Sequence, residues 1–172
     1  ARLTRENALR LETVYIGGGT PTSLDASHLK EISDALNRSF DMKRVKEFTV
    51  EAGRPDTITA QKLKIAKDFG VTRISVNPQT LNDDILREIG RRHTVEDFMR
   101  AYKIAKDSGI RDINVDLIAG LPGDKFSSFA ASYDKIVSLK PENITVHTFS
   151  VKKASDALKN FSHIYSVRGG DV

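Results

Sequence analysis

The sequence predicts an α/β fold of parallel strands joined by helices, and three observations carry that reading. Short β-branched runs alternate along the chain with longer stretches of helical periodicity. Each strand–helix unit takes about 30 residues, the length of a right-handed parallel crossover. Glycine and proline clusters punctuate the strand ends, as at 17–21, 53–55 and 120–123. An open doubly wound sheet and an arc of a (βα) barrel both satisfy this pattern. A complete eight-stranded barrel takes ~250 residues, so a chain of 172 residues makes only part of one.

The first strand is Val14-Tyr15-Ile16, followed by Gly17-Gly18-Gly19-Thr20-Pro21-Thr22. Ser23 or Asp25 then caps a helix with apolar positions Leu29, Ile32 and Leu36. Phe48-Thr49-Val50-Glu51 is the second strand, closed by Gly53-Arg54-Pro55, and Thr59 opens a helix that Gly70 ends. Arg73-Ile74-Ser75-Val76 is the third, broken at Asn77-Pro78. Two helical pieces follow, about 82–89 and 94–107, the second opened by a Thr94/Asp97 capping box and ended by Gly109. Residues 113–118 form the fourth strand, 126–138 a helix, and 144–148 the fifth strand. Residues 1–12 read as the charged end of a helix whose preceding strand is missing, and the tail from about 156 to 172 is weakly patterned. No linker divides the chain, which reads as a single, incomplete domain.

Hydrophobic residues make up 39% and charged residues 29%, a globular balance that argues against disorder. The net charge of +4 is scattered through the chain, which points to no nucleic-acid partner. No apolar run approaches the ~20 residues of a membrane span, and no signal peptide opens the chain, so the expectation is a cytoplasmic protein. There is no cysteine at all. That excludes disulfides, thiolate zinc sites, cysteine nucleophiles and cysteine-held iron–sulfur clusters within these residues.

In parallel α/β folds the carboxyl ends of the strands converge on the ligand site. Five successive strand ends here offer Gly18, Gly19 and Thr20, then Glu51, then Gln79, then Asp116, then Val151. A glycine floor, two acids, an amide and an apolar wall suit a polar zwitterion joined to a ribose and a base. The glycine string is neither a Walker loop, since its lysine and spacing are absent, nor a dinucleotide fingerprint, since Thr22 replaces the third glycine. Bland readings stand beside these. A bare triple glycine is a tight turn, Asp116 equally suits a helix cap, and Arg91 or Arg92 equally suits solvated surface. His28 and His93 sit at helix starts. His147, at a strand centre, points either into a lumen or into a packed core. No two histidines have metal-ligand spacing.

The string Tyr15-Ile16-Gly17-Gly18-Gly19-Thr20-Pro21-Thr22 resembles the second-strand motif of the radical S-adenosylmethionine enzymes related to oxygen-independent coproporphyrinogen III oxidase. Val50-Glu51-Ala52 is similar to that family's third-strand acid. Gly90-Arg91-Arg92-His93-Thr94 resembles its arginine segment, twelve residues after Gln79 for Arg91. Asp116-Leu117-Ile118-Ala119-Gly120-Leu121-Pro122-Gly123 resembles its D-L-I-x-G-L-P-G strand and turn. The likeness runs from roughly 13 to 155.

The resemblance implies a partial TIM-type barrel whose cofactor contacts fall on Gly18, Gly19, Thr20, Glu51, Gln79, Arg91, Asp116 and Val151. It implies S-adenosylmethionine and a [4Fe-4S] cluster as cofactors, with a porphyrinogen substrate and an electron donor as partners. The implied activity is oxidative decarboxylation of two propionates of coproporphyrinogen III to vinyls through a 5′-deoxyadenosyl radical. A modest positive excess suits a substrate with four carboxylates. The family's cluster sits on a C-x3-C-x2-C loop upstream of the glycine motif, and this chain has no cysteine to supply it. The expectation is therefore a fragment of the core, inactive alone and binding S-adenosylmethionine only weakly. Two alternatives remain open, a haem-trafficking relative of the same superfamily and an unrelated (βα) cofactor binder.

Overall fold

The structure, a computed structural model, describes residues 10–150. Val151, the tail and most of the segment read as a helix end over 1–12 lie outside them. Five strands form one sheet in the order β1-β2-β3-β4-β5, every neighbouring pair parallel. They are β1 (Thr13–Ile16), β2 (Glu47–Gly53), β3 (Arg73–Gln79), β4 (Asp112–Ala119) and β5 (Asn143–Thr148). Between them run α1 (Ala26–Ser39), α2 (Ala60–Asp68), α3 (Asp83–Glu88), α4 (Val95–Asp107) and α5 (Phe126–Ser138). Spatial order that follows sequence order is the arrangement of a barrel arc. A doubly wound sheet reverses direction at a switch point, and this one does not.

Side chains alternate across each strand, so one residue in two faces each side of the sheet. On one side Phe48, Val50, Ala52, Ile74, Val76, Ile113, Val115 and Leu117 pack with Leu63, Phe98, Tyr102 and Ile136 from the helices into a single core. The other side carries Tyr15, Thr49, Glu51, Ser75, Asn114, Asp116, Thr145 and His147. Among the described residues the helices cover the apolar side alone, which leaves the polar side as the concave wall of the arc.

Local chemistry sets most helix starts. Thr59 Oγ1 accepts from Lys62 N, Asn82 Oδ1 from Asp84 N and Ile85 N, and the Thr94/Asp97 capping box forms in full. For α1 the expectation of a side-chain cap fails. Asp25 stands at the N-cap without such a bond, while Ser23 Oγ turns back to Thr20 O in the preceding turn.

The third strand does not break at Asn77-Pro78; β3 continues through both to Gln79, which therefore ends the strand and does not follow it. The register against β4 shifts between Val76 and Gln79, so proline's missing N–H falls at the irregularity and takes no bond from the ladder. Gln79 itself has φ +69°. The freed Pro78 carbonyl meets His93 Nε2 at 3.2 Å, and because a carbonyl only accepts, that nitrogen carries the proton. His93, just before the cap of α4, is 4% exposed and holds this loop to the strand.

Burial pulls the His93 imidazole below its usual range, with the Pro78 bond opposing and Arg91 assisting. The protonated form is thus the one that folding disfavours. Stability is at full value above the ordinary imidazole pKa of about 6.5 and declines as pH falls below it. Urea midpoints measured between pH 8 and 5.5 are expected to show this decline in wild type and a flatter slope in His93→Gln. Parallel slopes would contradict it.

Candidate functional site

The glycine segment leaves β1 at the carboxyl end of the arc and re-enters regular structure as a 3-10 turn over Pro21–Ser23. Gly17 lies under the side chains of Tyr15 and Glu51, which would have to move to admit a side chain there. A Cβ there would overlap the Tyr15 ring and lie 2.8 Å from Glu51 Oε2. Gly18 is required by conformation, with φ +84°, a region costly for any residue with a Cβ. Space beyond Gly18 and Gly19 is open, since nothing lies within 4 Å of a Cβ built on either. The segment therefore presents bare backbone to whatever occupies the arc.

Thr22, 2% exposed, anchors this segment. Its Oγ1 donates to Ala52 O at 2.7 Å and lies 2.6 Å from Thr57 Oγ1, which itself bonds Arg54 O. Lys62 Nζ reaches over from α2 to Thr22 O at 2.6 Å. The motif's second threonine thus ties the glycine turn to the end of β2.

Glu51 joins two of the expected positions. Its Oε2 accepts from Gly18 N at 3.3 Å and from the Tyr15 hydroxyl at 3.1 Å. Desolvation first, then the Glu51 bond and its charge, raise the Tyr15 phenol above its usual range, so Tyr15 remains a donor. Glu51 and Asp116 line one trough of about 340 Å³ on the concave face, with Tyr15, Glu47, Arg73, Ser75, Asn114, Thr145 and His147. Three carboxylates against one guanidinium leave it negative. Ser75 Oγ in the trough wall and Asn77 Oδ1 farther along β3 are buried with no hydrogen-bond partner. Unpaired buried polar atoms are costly unless a ligand or water completes them.

Asp116 caps no helix; it stands in β4, its Oδ1 accepting from Asn114 Nδ2. Thr20 lies beside the end of β2, its side chain 3.7 Å from where a Cβ on Gly53 would stand. Gln79 ends β3 opposite Leu117 and does not line the trough. Arg91 also stays outside it, on the α3–α4 connection, where its N–H bonds Leu86 O. Arg91 is exposed by area yet crowded by neighbouring protein; that desolvation, then the Arg54 charge, lowers its pKa. The Arg54 charge that reaches Arg91 comes from the segment just past the end of β2. Val151 lies outside the described residues.

A parallel arc whose first strand ends in an open glycine turn, with acids on β2 and β4 lining one trough, has the architecture of a radical S-adenosylmethionine core. The family profile described as the Radical SAM superfamily matches residues 1–136, and the chain belongs to that superfamily. Over 166 residues it is 44% identical to the oxygen-independent coproporphyrinogen-III oxidase-like protein HemZ of Bacillus subtilis, covering 96% of this chain and 33% of that protein. It is 41% identical over 143 residues to the heme chaperone HemW of the same organism, covering 83% and 38%. Among solved structures it superposes on coproporphyrinogen III oxidase (HemN) from Escherichia coli with a TM-score of 0.80 at 24% identity, covering 92% of this chain and 37% of that one. The chain spans about a third of the length of these curated relatives.

The superfamily implies S-adenosylmethionine and a [4Fe-4S] cluster. The residues present fit the first: open glycine backbone, two acids, orphaned polar atoms and a negative trough suit a cationic sulfonium with ammonium and ribose donors. They do not fit the second. The chain has no cysteine, and among the described residues no group of three or more His, Asp or Glu side chains could hold a metal.

Sequence reasoning passed over Tyr15, Glu47, Arg73, Ser75, Asn114 and Thr145. The signal was present in the strict alternation of T-V-Y-I, E-F-T-V-E, R-I-S-V-N, D-I-N-V-D and N-I-T-V-H. A parallel strand buried on both faces reads as a continuous apolar run. Five strands that each alternate with polar residues mark a polar concave wall.

Proposed function

We propose that this chain is the S-adenosylmethionine-binding part of a porphyrinogen oxidase, one that converts propionates of coproporphyrinogen III to vinyls. The observation that carries the cofactor assignment is the junction of Gly18 N, Glu51 and Tyr15 beside an open glycine cradle, facing Asp116 across one trough. When bound, S-adenosylmethionine supplies one-electron chemistry that protein side chains lack. In this reading Gly18 and Gly19 approach the methionine end, while Arg91, Thr20 and Gln79 border it at the carboxyl end of the arc. Arg91 can fork onto a carboxylate. Glu51 and Asp116 accept from an ammonium or from ribose hydroxyls. The apolar core behind the sheet keeps these groups fixed before the cofactor arrives. Cluster ligands would come from residues outside this sequence, as would most contacts to the porphyrinogen.

The likeness to a heme chaperone at 41% identity favours a second reading, haem handling by the same cofactor core. One comparison separates the two. Full-length protein, reconstituted anaerobically with iron and sulfide, is assayed for turnover of coproporphyrinogen III and titrated with haem. Turnover dependent on S-adenosylmethionine supports the oxidase. Stoichiometric haem binding without turnover supports haem handling and overturns it. A protein that binds neither iron nor S-adenosylmethionine sinks both.

A further inference from the structure

We propose that His147 is a positioning residue for the cofactor, acting through Asp116 and making S-adenosylmethionine affinity depend on the protonation of its imidazole. The inference rests on the cofactor reading above and goes beyond it. Pairing of β4 with β5 sets Thr145 opposite Asp116 and His147 opposite Ile118, so His147 sits diagonally beyond Asp116 on the concave wall. Its Nε2 lies 3.6 Å from Asp116 Oδ2. That separation is too long for a formed hydrogen bond and short enough to close by a small side-chain rotation.

The two oxygens of Asp116 differ in their commitments. Oδ1 accepts from Asn114 Nδ2, and Asn114 Oδ1 in turn accepts from Thr145 Oγ1 at 3.0 Å and Arg73 Nη2 at 3.3 Å. This network fixes the carboxylate in orientation and leaves Oδ2 to the trough and to His147. With the imidazole neutral, an N–H bond to Oδ2 is uncharged and yields to a ribose hydroxyl or an ammonium. Once protonated, the ring closes on Oδ2 as a charge-assisted bond and competes with those donors. It also places a second positive charge in a space suited to a sulfonium.

The charged and titratable groups facing this pair are Tyr15 from β1, Glu47 and Glu51 from β2 and Arg73 from β3. Among the trough-lining side chains His147 is the one whose type ordinarily titrates near neutrality.

The test measures S-adenosylmethionine binding to the full-length protein at about pH 8 and about pH 5.5, by calorimetry. Wild type is expected to lose about fivefold in affinity on acidification. His147→Gln should stay near the pH 8 affinity at both values beyond any slope shared by all variants, and His147→Lys should be weak at both. His147→Asn serves should the glutamine variant fail to fold. Wild type and His147→Gln binding with the same pH profile would overturn the role of His147 and leave the cofactor reading intact. Absence of binding by wild type at both pH values would overturn both.

Discussion

Gly18→Val is expected to lower S-adenosylmethionine affinity by at least about tenfold while leaving the melting temperature of the protein nearly unchanged. The physical case separates the two effects. At φ +84° a β-branched residue is strained by about 1–3 kcal/mol, and the loop relieves that strain by leaving the left-handed region. The Gly18 N–H then turns away from Glu51, and the cradle loses its shape at the carboxylate that organises it. A loss of ~1.4 kcal/mol in binding is already tenfold. Nothing lies within 4 Å of a Cβ there and Gly18 is no part of the apolar core, so the core does not register the change. Calorimetric titration of the two proteins, beside their thermal melts, checks both halves. Unchanged affinity would mean that the glycine segment is a turn and no cradle. The chain would then hold its ligand elsewhere on the arc.

The largest effect on stability is expected from Phe98→Ala, a loss of about 3–5 kcal/mol. Phe98 lies on α4, is fully buried, and sits with its ring centroid 5.9 Å from that of Tyr102. It belongs to the single core that backs the sheet, so its removal leaves a void behind the strands whose other face carries Arg73 and Ser75. Against a typical domain stability of about 5–15 kcal/mol, that loss is a large fraction. Urea unfolding of wild type, Phe98→Leu and Phe98→Ala gives the measurement. The leucine variant should cost much less because it keeps most of the volume. Equal midpoints for wild type and Phe98→Ala would show that α4 does not share the core.

How much of this was legible in the sequence follows from which interactions are local. A capping box is decided within four residues, so Thr94 and Asp97 announced the start of α4 correctly. The helix over 126–138 was likewise readable from its own periodicity, and it forms with those bounds. Asn77-Pro78 misled because proline's local preference is to end a strand. Whether it does depends on the partner strand, and here the irregularity against β4 absorbs the missing donor. His93 does stand at a helix start, just before the Thr94 cap, but its bond to Pro78 O, fifteen residues away, is displayed by no local pattern.

The sequence alone determined the parallel strand–helix order, the glycine turn, and the absence of cysteine that removes any thiolate-held cluster from this chain. These depend on residue type and short-range spacing. Tertiary structure decided what those residues face. Alternation in each strand sorts side chains to two sides, but only the covering of one side by helices leaves the other as an open polar wall among the described residues. That choice brought Glu51 to Gly18 and Tyr15, and His147 to Asp116. It kept Gln79 and Arg91 out of the trough, since a bulge and a connecting loop carry them beyond it. Contacts between residues thirty or more apart depend on strand register, and register is set by the whole sheet.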